Sequence, residues 1–450
     1  MKRNRVLWQA ALGLVLCVAL RSRAGAAVLF QETFDTDTTT TAETLAAYPA
    51  FTFTGTGTAA VAGGVLSLSG TNTTNSLITA AGFAGDLLIQ LQVAKNPGGG
   101  NANVGLMIGG NRLAFHPGYG GGAFRVEGNG GFGNQNMGFN PPGGAGVFSQ
   151  MEVVVNATTK QFTIAVPNAS NPEQVYAQRF TNPNYTPGTD RIGPTRNTSS
   201  ATDVGFYDNL IISDRPTATG ATLWEQVIMA SDPLNWYHLS ETSSVIAIDY
   251  GRGGLHGVYQ NGVLRGQPGM PLVGDLAASF DGVNDQVWLG GTGINGPWSA
   301  EFLLMHLGVE DSGTLLRSAA GALRLDQWQN TGAVGFTAFG VADYRLTPDV
   351  LAPLDKWTHL AFVADPTGGT QVYINGTLAG FNPNYIPLPR DLLGGGDTAN
   401  MLLDEVMLYD RALTPAEIVE HASVLGIPEP TTLALLAGGL LLLARRRRKP

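Results

Sequence analysis

Four oxygen-bearing side chains in the second half of the sequence have the types and spacing to bind a metal ion. Asp281, Asn284 and Asp285 are close neighbours in the chain, and Asp404 could join them from a distant strand. Calcium takes about six to eight oxygen ligands, so backbone carbonyls and water would have to complete this set. The alternative is turn chemistry, because Asp-Gly and Asn-Asp sequences commonly form turns. Calcium is the one cofactor that the sequence suggests, and both interpretations stay open.

No short catalytic motif accompanies these residues. The sequence contains no His-Glu-x-x-His, Gly-x-Ser-x-Gly or Gly-x-x-x-x-Gly-Lys-Ser/Thr segment. His238 and His359 each follow a tryptophan by two residues, which favours a buried, hydrogen-bonded histidine over a general base. The one cysteine, Cys17, lies in the first apolar segment, and removal of that segment would leave no thiol for a disulfide, a zinc site or a nucleophile. We therefore expect a protein that is not an enzyme.

The composition favours a chain built from strands. A length of 450 residues predicts two or three domains. Glycine occupies 60 positions and proline 25, which leaves little room for long helices. The net charge is −9, and basic residues cluster at the two ends, so the middle of the chain is still more acidic. Because such a surface repels a phosphate backbone, nucleic acid is not an expected partner.

Residues 1–26 have the three parts of a secretory signal peptide. Basic residues precede an apolar stretch over 6–20, and the small residues that end at Ala26 fit an A-x-A cleavage site. We predict cleavage by signal peptidase between Ala26 and Ala27. Arg21 and Arg23 are unusual so near the cleavage site, and an uncleaved membrane anchor is the alternative. Either arrangement exports the rest of the chain.

The other end carries a second targeting signal. Pro428, Glu429 and Pro430 precede an apolar run over 431–444, which is followed by four arginines and a lysine. A transmembrane helix over this run would span about 21 Å of a hydrocarbon core that is about 30 Å thick. The basic cluster would stay in the cytoplasm, which places everything before Pro428 outside.

This order of features over 427–450 resembles the PEP-CTERM sorting signal of Gram-negative bacteria. The resemblance implies recognition and cleavage by a membrane-embedded exosortase. It also implies that the protein is anchored transiently in the inner membrane and ends in the cell envelope, at the outer surface or in the extracellular matrix. An ordinary tail anchor is the alternative.

Between the two ends the sequence predicts two β-rich domains, at 28–214 and 223–423, with a linker at 215–222. Apolar residues alternate in several predicted strands, as in the segment LLIQLQV over 87–93. Asn375-Gly376 is the clearest hairpin turn. One helix is predicted over 415–422, because Thr414 can cap it and Glu417 completes a capping box.

Tryptophans occur in the second domain and not in the first. Six of them could form an aromatic platform for sugars, or they could be large apolar anchors of a sandwich core. They are Trp224, Trp236, Trp288, Trp298, Trp328 and Trp357.

The order of motifs in the second domain resembles a LamG-like, concanavalin A-like jelly roll. The matching segments are WYHLSE at 236–241, FDGVND at 280–285, KWTHLA at 356–361, VYING at 372–376 and LDEVMLYDRAL at 403–413. In the first domain, FQETFD at 30–35 and DNLIIS at 208–213 are similar to the terminal strands of a more divergent jelly roll. The expected fold is therefore all-β, with two jelly-roll sandwiches, a signal peptide and a short C-terminal hydrophobic helix.

The resemblance implies a binding or adhesion module that recognises polysaccharide or another surface protein through loops at one end of a sandwich. A carbohydrate-active enzyme, similar to a glycoside hydrolase, is an alternative. It would need a non-standard acid pair, because no Glu-x-Asp occurs and adjacent Asp404 and Glu405 would face opposite sides of a strand. An inert structural spacer is a further alternative.

Overall fold

A computed structural model describes residues 26–70, 74–95, 103–116, 123–128, 135–139, 147–198, 202–329 and 331–426. The predicted signal peptide up to residue 25, the sorting signal at 427–450 with its helix at 431–444, and much of the glycine-rich stretch between 97 and 146 lie outside these residues. Within the described ranges, no helix is both long and apolar enough to cross a membrane.

The first sandwich begins at the predicted signal cleavage site, where the Ala27 carbonyl accepts a hydrogen bond from the Asp214 amide at 2.9 Å. Its described elements are β1 (Val28–Glu32), α1 (Thr41–Ala47), β2 (Phe51–Thr54), β3 (Thr58–Ala62), β4 (Val65–Ser69), β5 (Thr74–Thr79), β6 (Leu87–Lys95), β7 (Asn103–Ile108), β8 (Asn111–His116), β9 (Ala123–Glu127), β10 (Gln135–Asn136), β11 (Ser149–Asn156), β12 (Gln161–Asn168), β13 (Asn171–Thr181), β14 (Ile192–Asn197) and β15 (Gly205–Asp214).

The second sandwich starts with a helix and ends with another. Its described elements are α2 (Leu223–Ala230), β16 (Asn235–Tyr237), β17 (Ile246–Ala247), β18 (Gly257–Gln260), β19 (Leu264–Pro268), β20 (Leu276–Asp281), β21 (Gln286–Trp288), β22 (Trp298–Gly308), β23 (Gly313–Arg317), β24 (Gly321–Asp326), β25 (Gly335–Ala338), β26 (Ala342–Arg345), β27 (Trp357–Asp365), β28 (Gly369–Ile374), β29 (Thr377–Asn382), β30 (Leu392–Gly394), β31 (Asn400–Tyr409) and α3 (Pro415–Val424).

Each sandwich consists of two antiparallel sheets. In the first, sheet A has the order β13-β12-β11-β6-β15-β4-β3, with β1 beside β15, and sheet B has the order β10-β9-β8-β7-β14-β5-β2. In the second, sheet C has the order β19-β20-β31-β22-β27-β28-β29, with β16 beside β31, and sheet D has the order β17-β18-β21-β30-β23-β24-β25-β26. Neighbours in a sheet are often far apart in sequence, as in a jelly roll. The expected all-β, jelly-roll fold class is confirmed.

Alternating apolar residues fill the space between the paired sheets. In β6 the side chains of Leu87, Ile89, Leu91 and Val93 all belong to the buried core of the first sandwich, as the alternation predicted. The hairpin at Asn375-Gly376 is also confirmed, because it joins β28 to β29. Both turn residues have positive φ, 49° and 82°, as a type I′ turn requires.

The predicted C-terminal helix is present and two further helices join it. α3 has the expected capping box, in which Thr414 accepts from the Glu417 amide and the Glu417 side chain accepts from Thr414. α1 and α2 were not predicted from the sequence, although Thr40 caps α1 with a capping box and the Thr222 side chain accepts from the Glu225 amide at the start of α2. Both helices are short, so they carry little periodic signal.

The two sandwiches share an apolar interface between sheet A and sheet D. Val154 and Val175 of the first sandwich pack in one buried cluster with Ile246, Ile248 and Val258 of the second. A buried carboxylate lies beside this cluster, where Glu152 accepts a hydrogen bond from the Ser244 hydroxyl at 2.7 Å and from the Val245 amide at 3.1 Å. Burial raises the pKa of Glu152, although these hydrogen bonds oppose the shift.

Arg179 on β13 forms hydrogen bonds across the same interface. Its guanidinium donates to the Leu289 carbonyl at 2.7 Å and also to the His256 carbonyl, both in the second sandwich. The guanidinium carbon lies 4.9 Å from the centre of the Trp288 ring. One side chain thus satisfies two carbonyls at the junction and covers an aromatic ring.

We predict that Arg179→Ala uncouples the two sandwiches. The substitution leaves two carbonyls at the junction without their donor, which costs about 2–4 kcal/mol. Scanning calorimetry of the mature protein should then show two separated transitions in place of one. Arg191→Ala is the control, because Arg191 is exposed and its guanidinium donates to the Thr52 hydroxyl of the same sandwich at 3.3 Å. An Arg179→Ala protein that unfolds exactly like the control would contradict the coupling.

Candidate functional site

The predicted calcium ligands at 281–285 form a tight turn between β20 and β21. The Asp285 carboxylate accepts from the Asp281 amide at 2.9 Å, and Asp281 Oδ1 accepts from the Val283 amide at 2.8 Å. The backbone carbonyl of Asn284 accepts from the Asn261 side chain at 3.1 Å. Burial raises the pKa of Asp285 to about 6. These groups perform the turn chemistry that was the alternative interpretation, and calcium at this turn stays a prediction.

Asp404 does not lie at this turn. Asp281 pairs with Asn400 across the neighbouring strands, and Asp404 is four residues further along β31. At about 3.3 Å per residue, the two aspartates are separated by about 13 Å along the sheet. The part of the prediction that adds Asp404 to the turn is wrong, because the register of β20 on β31 sets them apart.

A β-bulge changes the direction of the two acids on β31. Leu303 of β22 pairs with Glu405, whereas Leu304 pairs with Leu403, so Asp404 is the extra residue. Leu403 and Val406 both belong to the core between sheets C and D. Asp404 and Glu405 therefore both face the outer side of sheet C. The expectation that they face opposite sides is wrong, because it assumed a regular strand.

The bulge assembles a buried group of four side chains, which we call the acid cluster: His238, Asp275, Asp404 and Glu405. His238 Nδ1 lies 2.7 Å from Glu405 Oε1 and 4.0 Å from Asp275 Oδ2. The Trp236 indole donates to Glu405 Oε2 at 2.6 Å. The Met270 amide donates to Asp404 Oδ2 at 2.6 Å. The loop that precedes β20, the residue that follows β16 and the bulge in β31 thus converge on one point.

The electrostatics of the acid cluster favour a proton on Asp404. Burial raises the pKa of Asp404 well above its ordinary value, and the neighbouring negative groups Asp275 and Glu405 raise it further. The hydrogen bond from the Met270 amide opposes the shift only in part. A neutral Asp404 relieves the repulsion among three carboxyl groups that lie close together away from water.

The acid cluster has the donors of a metal centre. His238, Asp275 and Glu405 each offer one ligand atom, and these atoms lie within 4.8 Å of one another. An imidazole nitrogen among carboxylates suits manganese or zinc better than calcium, which prefers oxygen ligands alone.

A second buried carboxylate on the outer face of sheet C holds α2 and α3. Glu301 Oε2 lies 2.9 Å from His421 Nδ1, and Glu301 Oε1 lies 3.0 Å from His359 Nε2. Burial opposes ionisation of Glu301, but the charge of His421 and the hydrogen bonds from both histidines lower its pKa to about 2. The Ser231 hydroxyl at the end of α2 lies 2.7 Å from His421 Nε2.

Ser231, His421 and Glu301 are linked in the order of a Ser-His-acid catalytic triad. Their buried position indicates a structural role instead. Ser231 is almost fully buried, and its hydroxyl also donates to the Val227 carbonyl at 3.2 Å. His238 and His359 are fully buried and bonded to carboxylates, which confirms that they are core histidines.

The outer side of sheet D carries a different set of side chains on β23, β24 and the turn after β25. The guanidinium carbons of Arg317 and Arg324 lie 5.6 Å and 5.9 Å from the centre of the Phe339 ring. We call these three residues the arginine face. Arg317 and Phe339 are half-buried, and Arg324 donates to the Thr314 hydroxyl at 2.6 Å. Positive charge and a hydrocarbon ring are thus presented together at a sheet surface.

Sequence reasoning missed both the acid cluster and the arginine face. The alternation of Leu323 and Leu325 toward the core could have placed Arg324 on the outer face of its strand. No local pattern indicated that Arg317 and Phe339 would meet it there. Of the two interpretations of the tryptophans, Trp224, Trp236 and Trp298 fit that of buried core anchors, whereas Trp328 is half exposed.

Comparison with known families agrees with this architecture. The family described as the concanavalin A-like lectin/glucanases superfamily, Laminin_G_3, matches residues 281–419. The PEP-CTERM protein-sorting motif matches residues 426–449. The chain carries a concanavalin A-like domain and a PEP-CTERM sorting motif. It is therefore an exported, envelope-associated protein, and the motif implies processing by an exosortase.

Solved structures resemble the chain only distantly. Domain 4 of AbnA, a GH43 extracellular arabinanase from Geobacillus stearothermophilus in complex with arabinotriose, is 21% identical, with 42% of this chain and 98% of that chain covered and a TM-score of 0.30. Trypanosoma rangeli sialidase in complex with the inhibitor DANA is 10% identical, with 70% and 60% covered and a TM-score of 0.33. This chain thus spans less than two thirds of the sialidase. Lectin II from Ulex europaeus is 8% identical, with 36% and 92% covered and a TM-score of 0.30. No curated protein matches the chain significantly.

We predict that Asp404→Asn stabilises the concanavalin A-like domain relative to wild type as the pH rises. An acid whose folded pKa is raised contributes stability while protonated and loses it above its unfolded pKa of about 4. Asparagine mimics the protonated form and does not titrate, so its advantage in Tm should grow by at least about 2 °C between about pH 4 and pH 8.

Glu405→Gln is the matched control, since it removes the charge that His238 and Trp236 bind, and it should lower Tm at about pH 7. An Asp404→Asn protein with a lower Tm at every pH would contradict the account. The same scans in EDTA and with added calcium, manganese or zinc test the metal. If Tm is unchanged in all of them, neither the 281–285 turn nor the acid cluster binds a cation.

Proposed function

We propose that the mature chain is a non-catalytic, polysaccharide-binding adhesion protein of the envelope or extracellular matrix of a Gram-negative bacterium. Signal peptidase would release its N-terminus at Ala26–Ala27. The segment 431–444 would hold it in the inner membrane until an exosortase cleaves near Pro428. These steps are supported by the order of targeting signals in the sequence and by the match to the sorting motif.

The observation that carries the binding proposal is the location of the arginine face, where Arg317 and Phe339 are half-buried, away from the covered parts of sheets C and D. On sheet C, the side chains of α2 and α3 cover the outer face, where Trp224 and Ile418 pack against Met407 and Tyr409. On sheet D, the first sandwich packs against the strands β17, β18 and β21. Among the described residues, neither apolar cluster includes a residue of β23–β26, and Arg317 and Phe339 keep part of their surface exposed there for a ligand. Guanidinium donors beside an aromatic ring are groups that recognise sugar hydroxyls and ring faces.

The burial of the carboxylates supports a polysaccharide-binding function over glycoside hydrolysis. A glycoside hydrolase needs two carboxyl groups about 5–9.5 Å apart on either side of an accessible sugar bond. Asp404 and Glu405 are adjacent, but both are fully buried on the outer side of sheet C, and so is Glu301. Asp285 is buried within its turn. These acids could not reach a polymer without opening the fold.

We predict that Phe339→Ala weakens binding of the mature protein to its polysaccharide by about tenfold. Loss of the ring removes an apolar contact and frees the two arginines, a change worth about 1.4 kcal/mol. Binding would be measured against a panel of bacterial envelope polysaccharides. Phe381→Ala is the control, because Phe381 is an exposed aromatic residue on β29 of sheet C.

Three results would contradict the proposal in different ways. Equal binding by both variants would remove the arginine face from the binding site. Turnover of any polymer in the panel would favour the enzyme. Absence of binding to every polymer would favour an inert spacer.

A further inference from the structure

The arginine face carries more positive charge than a site for neutral sugars requires. Arg317 and Arg324 stand on the paired strands β23 and β24 and both approach one Phe339 ring. The Phe339 amide donates to the Ala320 carbonyl at 3.0 Å, which joins the turn after β25 to the turn after β23. The ring is thus fixed by the backbone, and it holds both guanidinium groups in place.

Arg324 is a buried cation with incomplete hydrogen bonding. The residue is only 6% exposed, and its Nε atom has no hydrogen-bond partner within the described part of the chain. Burial lowers the pKa of Arg324, the negative charge of Asp397 opposes this shift, and the positive charge of Arg317 adds to it. The nearest carboxylate, Asp397, is 3.8 Å away and mostly exposed to water. A guanidinium in such surroundings gains from an added negative charge.

Arg317 leaves its charge available to a ligand. Among the described residues, no carboxylate lies within 4.0 Å of its guanidinium. Its Nη1 atom lies beside Gly396, where a Cβ would approach it to 2.5 Å, and its stem lies beside Gly395. Both glycines have positive φ, 84° at Gly395 and 47° at Gly396. At these two positions the loop beside Arg317 therefore has no side chain that would cover the guanidinium.

We propose that the arginine face selects acidic polysaccharides, with a sugar carboxylate or sulfate bound between Arg317 and Arg324. This inference rests on the proposed function and names the class of its ligand. An anion between the two guanidiniums removes their mutual repulsion and accepts charge-assisted hydrogen bonds. The net charge of the chain is −9, so general attraction to the protein surface does not explain binding of a polyanion.

The test compares polymers that differ only in charge. The mature protein is titrated with polygalacturonate and its methyl ester, alginate and its propylene glycol ester, and dextran sulfate and dextran. We expect at least one acidic polymer to bind about tenfold or more tightly than its neutral partner, with an affinity that falls as salt rises. Arg317→Gln should abolish most of this preference, and Arg317→Lys should keep part of it.

Arg125→Gln is the matched control, because it makes the same change in net charge on β9 of the first sandwich, where Arg125 pairs with Glu127. Its preference should equal that of wild type. Arg324→Gln is a second substitution at the site and should also reduce the preference. Arg317 is half-buried and Arg324 is buried, so Tm of each variant is measured, and Arg317→Gln alone decides the result if Arg324→Gln does not fold.

The outcomes separate this inference from the proposed function. If acidic and neutral partners bind equally, the inference fails while polysaccharide binding stands. If the acidic polymers are preferred but Arg317→Gln and Arg125→Gln both keep the preference, the site is wrong. If none of these polymers binds and the wider polysaccharide panel also fails, the proposed function fails with the inference. If only neutral members of that panel bind, the inference alone is overturned.

Discussion

Two carboxylates buried in the outer face of sheet C, Glu301 and Glu405, impose the constraint on which the second sandwich depends. A buried negative charge is tolerated only when it is paired and hydrogen-bonded. Glu301 meets this requirement with His359 and His421, and Glu405 meets it with Trp236 and His238. Because His421 belongs to α3 and its ring also meets Ser231 at the end of α2, satisfying the carboxylates brings both helices onto the sheet.

The packing of both helices on sheet C determines which surfaces remain for binding a ligand. The helices cover the outer side of sheet C. The first sandwich covers the part of sheet D formed by β17, β18 and β21, through Glu152, Arg179 and a shared apolar cluster. Among the described residues, the apolar clusters at these contacts include no residue of β23–β26, and Arg317, Arg324 and Phe339 meet on the outer side of those strands. Stability and the proposed function are thus divided between the sheets. Buried acids hold the helices on sheet C, whereas the arginine face lies on sheet D.

The sequence was informative where structure depends on neighbours in the chain. Alternation predicted the inward face of β6, Asn375-Gly376 predicted a hairpin, and Thr414 with Glu417 predicted the start of α3. The ordered motifs of the second domain predicted the fold class. Features that depend on the register between distant strands could not be predicted from the sequence. The bulge that turns Asp404 toward the side of Glu405 arises from pairing with β22, which is a hundred residues away. The meeting of Arg317 and Phe339 likewise depends on two separate turns.

Hydrogen–deuterium exchange of the mature protein, with and without a saturating acidic polysaccharide, tests most directly where the ligand binds. The account predicts slower amide exchange in β23–β26 and in the glycine loop at 394–396, with the first sandwich and the helices of sheet C unchanged. Protection confined to the first sandwich or to the acid-cluster side of sheet C would contradict it.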